Sequence, residues 1–135
     1  MIHDTRDFQT KFGHMINTYP VHLTKRKLDE RVVCMQEELD EFKDACKLQD
    51  LPGQADALID LVYFALGTAN MLGLPWKELW NDVHDANMRK VAGITKRGHK
   101  FDCIKPEGWV GPITSKILFD AGYGGHNPTL EQDDE

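Results

Sequence analysis

Residues 36–70, QEELDEFKDACKLQDLPGQADALIDLVYFALGTAN, decide the fold, because they set two groups of carboxylates into otherwise apolar helical sequence. Glu37-Glu38-x-x-Glu41 is one group and Asp56-x-x-x-Asp60 is the other. Acidic side chains on a buried helix face are tolerated mainly where a cation or a hydrogen-bond network compensates them. The pattern therefore points first to a divalent-cation site between two helices.

Working outward, the apolar residues Leu28, Val32, Met35, Leu39, Phe42 and Cys46 recur at steps of three and four between Lys27 and Lys47, which predicts one buried helix stripe. A second row, Cys34, Glu38, Glu41 and Ala45, runs along a neighbouring face, and its small ends would let another helix approach closely. Glu37 lies one turn from Glu41, so three carboxylates can converge. Leu48 to Gly53, with Asp50, Pro52 and Gly53, predicts a short connection and hence an antiparallel pair. The next helix, Gln54 to Leu72, is apolar nearly all round and is expected to be buried on several sides. Its exceptions, Asp56, Asp60, Tyr63, Gly67 and Asn70, fall on one stripe, so the two acidic groups face each other.

On the N-terminal side, Phe8, Phe12 and Met15 predict a short amphipathic helix over Asp4–Ile16, capped by Asp4 or Thr5. Asn17 to Thr24, broken by Pro20, reads as a loop, and Lys25-Arg26-Lys27 as a solvated helix start rather than a phosphate contact. On the C-terminal side, Gly73 suits a left-handed helix stop and Pro75 a helix start. A third long helix is expected to run to Val91, with Trp76, Leu79, Trp80, Val83 and Ala86 on its apolar face and Asn87 and Lys90 beyond. Residues 93–112 read as a loop rich in cations and aromatics, Ile113–Phe119 as one short helix, and 122–135 as a flexible acidic tail. The expected fold is all-α: an antiparallel bundle of three long helices plus a short N-terminal helix, in one domain over 1–121.

At 135 residues the chain fits a single domain, small enough for partner subunits to complete its core. A net charge of −6 argues against a surface for nucleic acid, which needs a basic footprint. Cys34, Cys46 and Cys103 are odd in number without C-x-x-C spacing; two of them would lie about 18 Å apart along one helix, so all three read as reduced, buried thiols. No leader pattern and no apolar run of roughly 20 residues is present, so a cytoplasmic protein with no membrane partner is expected.

Oxygen-only ligands favour a hard cation, Mg²⁺ or Mn²⁺. The carboxylates carry more charge than one such ion neutralises, and a nucleoside triphosphate that arrives with further metal would balance them. Metal could then bridge carboxylates and phosphates and activate a water, while Lys90, Lys96 and Lys100 offset phosphate charge. A di-iron bundle would need Glu-x-x-His; the residue three before His84 is Asn81, and no other histidine has the glutamate either. A merely solvated acidic face would account for E-E-x-x-E alone, but not for aspartates in a helix with so little polar surface.

Three ordered segments, E-E-L-D-E-F-K-D-A, A-D-A-L-I-D-L-V-Y-F-A-L-G-T-A and V-H-D-A-N-M-R-K-V, resemble the all-α nucleoside triphosphate pyrophosphatases. That superfamily includes MazG-like enzymes, dimeric dUTPases and phosphoribosyl-ATP pyrophosphohydrolases. The resemblance spans Phe8 to Pro112, including K-P-E-G-W-x-G-P, and is closest to the phosphoribosyl-ATP pyrophosphohydrolase-like branch of bacteria and phages. It implies hydrolysis between the α and β phosphates. It also implies Glu38, Glu41 and Asp60 as metal ligands, and Glu37 as a further ligand or the group that positions water. Ala57 stands where the commonest pattern, E-x-x-D, has glutamate, and Asp56 is expected to substitute. Asn87 and Lys90 match an N-M-x-K segment implied to contact triphosphate or sugar; Trp109, Phe101 and Trp80 can stack on a base or pack in the core. A homo-oligomer, dimer or tetramer, with a four-helix core is implied. Substrate alternatives are a (d)NTP, with dGTP or GTP suggested by phage relatives, and phosphoribosyl-ATP; a non-catalytic, metal-stabilised helical interaction domain is the rival from another class.

Overall fold

The computed structural model describes residues 1–94 and 102–124. Its elements are α1 (Ile2–Lys11), α2 (Lys25–Lys47), α3 (Leu51–Met71), α4 (Trp76–Met88), β1 (Val91–Gly93), β2 (Asp102–Ile104) and α5 (Thr114–Asp120). The architecture is all-α apart from the small two-stranded ribbon. The described residues fall into two compact units, Met1–Leu74 with 122–124, and Pro75–Ala121.

In the first unit α2 begins at Thr24, whose side chain accepts a hydrogen bond from the Lys27 amide, satisfying one of the donors a helix start leaves open. Lys25 pairs with Asp29 and Arg26 with Glu30, both one turn on and both exposed, so the basic run is a solvated helix start. At the other end Gln49 takes the left-handed conformation (φ 54°) and Asp50 caps α3, accepting from the Gly53 amide at 3.1 Å. Leu51–Gly53 are thus the first turn of α3 and not part of the connection. The reason is that proline has no amide to lose at a position where no helical acceptor exists. The pair is antiparallel: Arg31 of α2 reaches Phe64 and Thr68 of α3, while Ala45 lies against Gly53.

Helix α1 docks on the C-terminal half of α3 through polar groups. Neither Asp4 nor Thr5 caps it: the helix starts after Met1 with no side-chain cap. Thr5 is buried instead, its hydroxyl donating to the Ile2 carbonyl and accepting from Asn70. The Asn70 amide also donates to Gln9 Oε1 at 3.0 Å, and Gln9 Nε2 donates to the Gly67 carbonyl at 2.9 Å. A Cβ at Gly67 would lie 3.0 Å from Arg31 and 3.4 Å from Gln9, so glycine there lets both side chains in. Tyr63 meets the edge of Phe8 with ring centres 5.5 Å apart. The polar stripe of α3 therefore divides: Tyr63, Gly67 and Asn70 seat α1, leaving Asp56 and Asp60 for something else. Gly73 stops α3 with φ 66°, where any Cβ would collide with the Tyr19 carbonyl.

The expected burial of the apolar stripes is only partly met. Met35 and Phe42 are half-buried, but Leu28, Val32, Leu39 and Cys46 of α2 are exposed, as are Leu58, Ile59 and Val62 of α3. Periodicity records that a face is built to be covered, not that the same chain covers it. The three thiols are free as expected, but Cys46 and Cys103 are exposed and Cys34 is half-buried, so they are not the buried set expected. The tail expected from Gly122 begins in contact with this unit: Tyr123 Oη lies 2.8 Å from His22 Nε2.

In the second unit α4 ends at Met88, short of Val91, because Val91–Gly93 pairs antiparallel with Asp102–Ile104. The segment expected to be loop thus holds a ribbon, whose three-residue strands are too short to show a period. Ala86 is fully buried, whereas Trp80 and Val83 of the expected apolar face are exposed. The Trp109 indole donates to the Ala86 carbonyl at 2.8 Å, and Asp82 accepts from the Ile113 amide before α5. No helix among the described residues is long and apolar enough to cross a membrane.

Candidate acidic site

The antiparallel register sets Glu38 and Glu41 of α2 against Asp56 and Asp60 of α3. Glu38 carries the imprint of that meeting. Its carboxyl is pushed above the usual carboxylate range, first by loss of solvent, then by the charges of Glu41 and Asp60, a hydrogen-bonding interaction with Glu41, and the charge of Asp56. Its Oε2 is shut away from solvent without a hydrogen-bond partner. Such an atom ordinarily finds a donor, and the charges that act on the Glu38 carboxyl, those of Glu41, Asp60 and Asp56, are all negative.

Four of the five predicted acidic residues are therefore brought together. Glu38 and Asp60 are half-buried, and Glu41 and Asp56 are exposed. Glu37 is exposed and takes no part in the shift at Glu38. Ala57 is 2 % exposed, so the place of a glutamate in the commonest pattern is filled by packing. Asp56, one residue earlier and one turn from Asp60, is among the charges acting on Glu38.

Among the described residues no group of three or more histidine, cysteine, aspartate and glutamate side chains is gathered tightly enough to hold a metal ion. The donor chemistry nevertheless fits one. An orphaned, desolvated carboxylate oxygen amid like charges lacks a positive charge, and all the donors are hard oxygens of the kind Mg²⁺ and Mn²⁺ take.

Arg31 escaped the sequence reading. Its Nε donates to Thr68 Oγ1 at 2.9 Å and its Nη2 to the Phe64 carbonyl at 3.0 Å, tying α2 to α3. A signal existed: the row Cys34, Glu38, Glu41, Ala45 continues one step back to Arg31. In the second unit Asn87 is exposed in the last turn of α4, and Lys90 Nζ lies 5.5 Å from the centre of the half-buried Trp109 ring. Lys105, also missed, lies 5.0 Å from the same ring. Lys96, Lys100 and Phe101 lie outside the described residues.

Compared with known proteins, the family described as phosphoribosyl-ATP pyrophosphohydrolase matches residues 5–87. The matched span takes in all five acidic residues and Asn87, and ends before Lys90 and the ribbon. No curated protein matches the chain.

Proposed function

The chain belongs to the phosphoribosyl-ATP pyrophosphohydrolase family, and from that premise we propose that it hydrolyses a nucleoside or deoxynucleoside triphosphate between the α and β phosphates, releasing the monophosphate and pyrophosphate. The family is one of nucleotide pyrophosphohydrolases, hydrolases acting on phosphoric anhydrides, and it generally uses divalent metal ions. The observation that carries the proposal is Glu38: a solvent-deprived carboxylate with an unpartnered oxygen, raised by Glu41, Asp60 and Asp56.

In this reading Glu38, Glu41 and Asp60, with Asp56 in place of the missing glutamate, would hold Mg²⁺ or Mn²⁺. When bound, the cation supplies charge for the phosphate oxygens and a water of lowered pKa. Glu37, exposed and next to Glu38 in sequence, would orient an attacking water and take up its proton as the water oxygen bonds to the α phosphorus and the bond to the bridging oxygen breaks, pyrophosphate leaving. Asn87, Lys90, Lys96, Lys100 and Trp109 are proposed as substrate contacts on their chemistry alone. Resemblance to phage enzymes makes dGTP and GTP the first candidates. The family's own description favours a second reading, phosphoribosyl-ATP, with the same bond cleaved. A homo-oligomer, dimer or tetramer, working in the cytoplasm completes the proposal.

Glu38→Gln, Glu41→Gln and Asp60→Asn test it. Each is expected to lower turnover by about 100-fold or more, as when transition-state charge stabilisation is lost, while helix content and oligomeric state are kept. Parental activity in all three variants would overturn it.

A further inference from the structure

Four rings meet on the surface of the first unit. Phe8 and Phe12, one turn apart on α1, have ring centres 4.8 Å apart. Gly13 then takes the left-handed conformation, φ 69°, with open space where a Cβ would stand, and the chain reverses so that the His14 amide donates to the Gln9 carbonyl at 2.8 Å. The reversal brings the imidazole back to both phenylalanines, its centre 5.9 Å from that of Phe8 and 6.3 Å from that of Phe12. Tyr63 of α3 closes the group, 5.5 Å from Phe8 and nearly perpendicular to it. All four residues are exposed, Phe12 by 56 % even with Lys11 Nζ 5.4 Å from its ring centre. Apolar side chains scattered singly over a surface need no explanation, but rings that touch one another and stay open to water mark a surface built to be covered. The group is also held firmly, because Gln9, next to Phe8, is buried and bonded to Gly67 and Asn70.

Tyr63 points to what covers it. This residue follows Asp60 by three on the same stripe of α3, about 4.5 Å along the helix axis, and Asp60 is among the charges acting on Glu38. A ligand whose phosphates are held at the acidic cluster thus has the first of these rings one helical turn away. We propose that Phe8, Phe12, His14 and Tyr63 form the platform for the nucleobase of the substrate, and that this platform selects purine over pyrimidine nucleotides. Every base has a π face to lay against aromatic side chains, and two fused rings cover more of the platform than one. The proposal rests on the function proposed above for the place of the phosphates. Trp80 and Trp109, the base contacts suggested by the sequence among the described residues, belong to the second unit and not to this group.

Titration of the full chain in Mg²⁺ with dGMP and with dCMP, beside kcat/KM for dGTP and dCTP, tests this. The parent is expected to favour the purine in both measurements. Phe12→Leu should weaken dGMP binding and lower kcat/KM for dGTP by about 10-fold, as when one base–aromatic contact is lost, with little change for the pyrimidines. Phe12→Tyr should keep the preference and His14→Leu should narrow it. Glu38→Gln should weaken both monophosphates alike and leave their ratio standing; melting curves check that each variant is folded. Absence of dGMP binding by the parent, equal binding of dGMP and dCMP, or a parental preference in Phe12→Leu would overturn the proposal. So would a change of oligomeric state in Phe12→Leu seen by sedimentation, which would assign the rings to an interface between copies. A ring-dependent purine preference in binding, without hydrolysis of any triphosphate, would sink the proposed function and leave the platform standing; hydrolysis indifferent to Phe12→Leu would do the reverse.

Discussion

Glu38 is the residue on which the acidic site turns. Its folded pKa is raised, so the ionised form opposes folding: the penalty sets in as pH climbs from the unfolded to the folded pKa, and is full above the latter. Chelated protein should therefore melt higher on mild acidification into that interval as far as Glu38 is concerned, and Glu38→Gln should melt higher than the parent at neutral pH. A cation reverses the balance, because it needs the ionised carboxylate and displaces the proton. Stabilisation by Mn²⁺ should fade as pH drops through the raised pKa, and Glu38→Gln should lose most of it. Melting curves at pH 5 and 7.5, with chelator or Mn²⁺, check both signs. A variant less stable than the parent in chelator at neutral pH would contradict the role given to desolvation and like charge.

At the scale of elements, α3 divides its labour along its length. Its C-terminal half is seated on α1 by Asn70, whose amide serves Thr5, Gln9 and the Ile2 carbonyl. Asn70→Ala strands buried acceptors and should cost about 1–3 kcal/mol, with amide exchange quickening in α1 while the α2–α3 pair stays protected. Uniform loss of protection across all three helices would show that α1 is not a separable layer. The α2–α3 pair was legible in the sequence because a three-four period sustained over some twenty residues leaves few alternatives. Less legible was the use of each polar position: Asp56, Asp60, Tyr63, Gly67 and Asn70 share a stripe, but only the structure separates those that bind α1 from those that face Glu38. Pro52 and Gly53 carry turn signals and yet form helix, since a first turn accepts both.

Among the described residues, the first unit exposes the apolar side chains Leu28, Val32 and Leu39 on α2 and Leu58, Val62 and Ile59, the last 67 % exposed, on α3. A second copy is the cover proposed for them. Sedimentation at micromolar concentration should find a dimer or tetramer for the parent and a smaller species for Ile59→Glu with Val62→Glu; a monomeric parent would contradict that cover. Central to the account is the bond broken. Incubation with a panel of (d)NTPs and phosphoribosyl-ATP in Mn²⁺ or Mg²⁺, resolving all phosphate products, tests it most directly. A nucleoside monophosphate, or phosphoribosyl-AMP, with equimolar pyrophosphate is the expected result; a diphosphate with inorganic phosphate would contradict it.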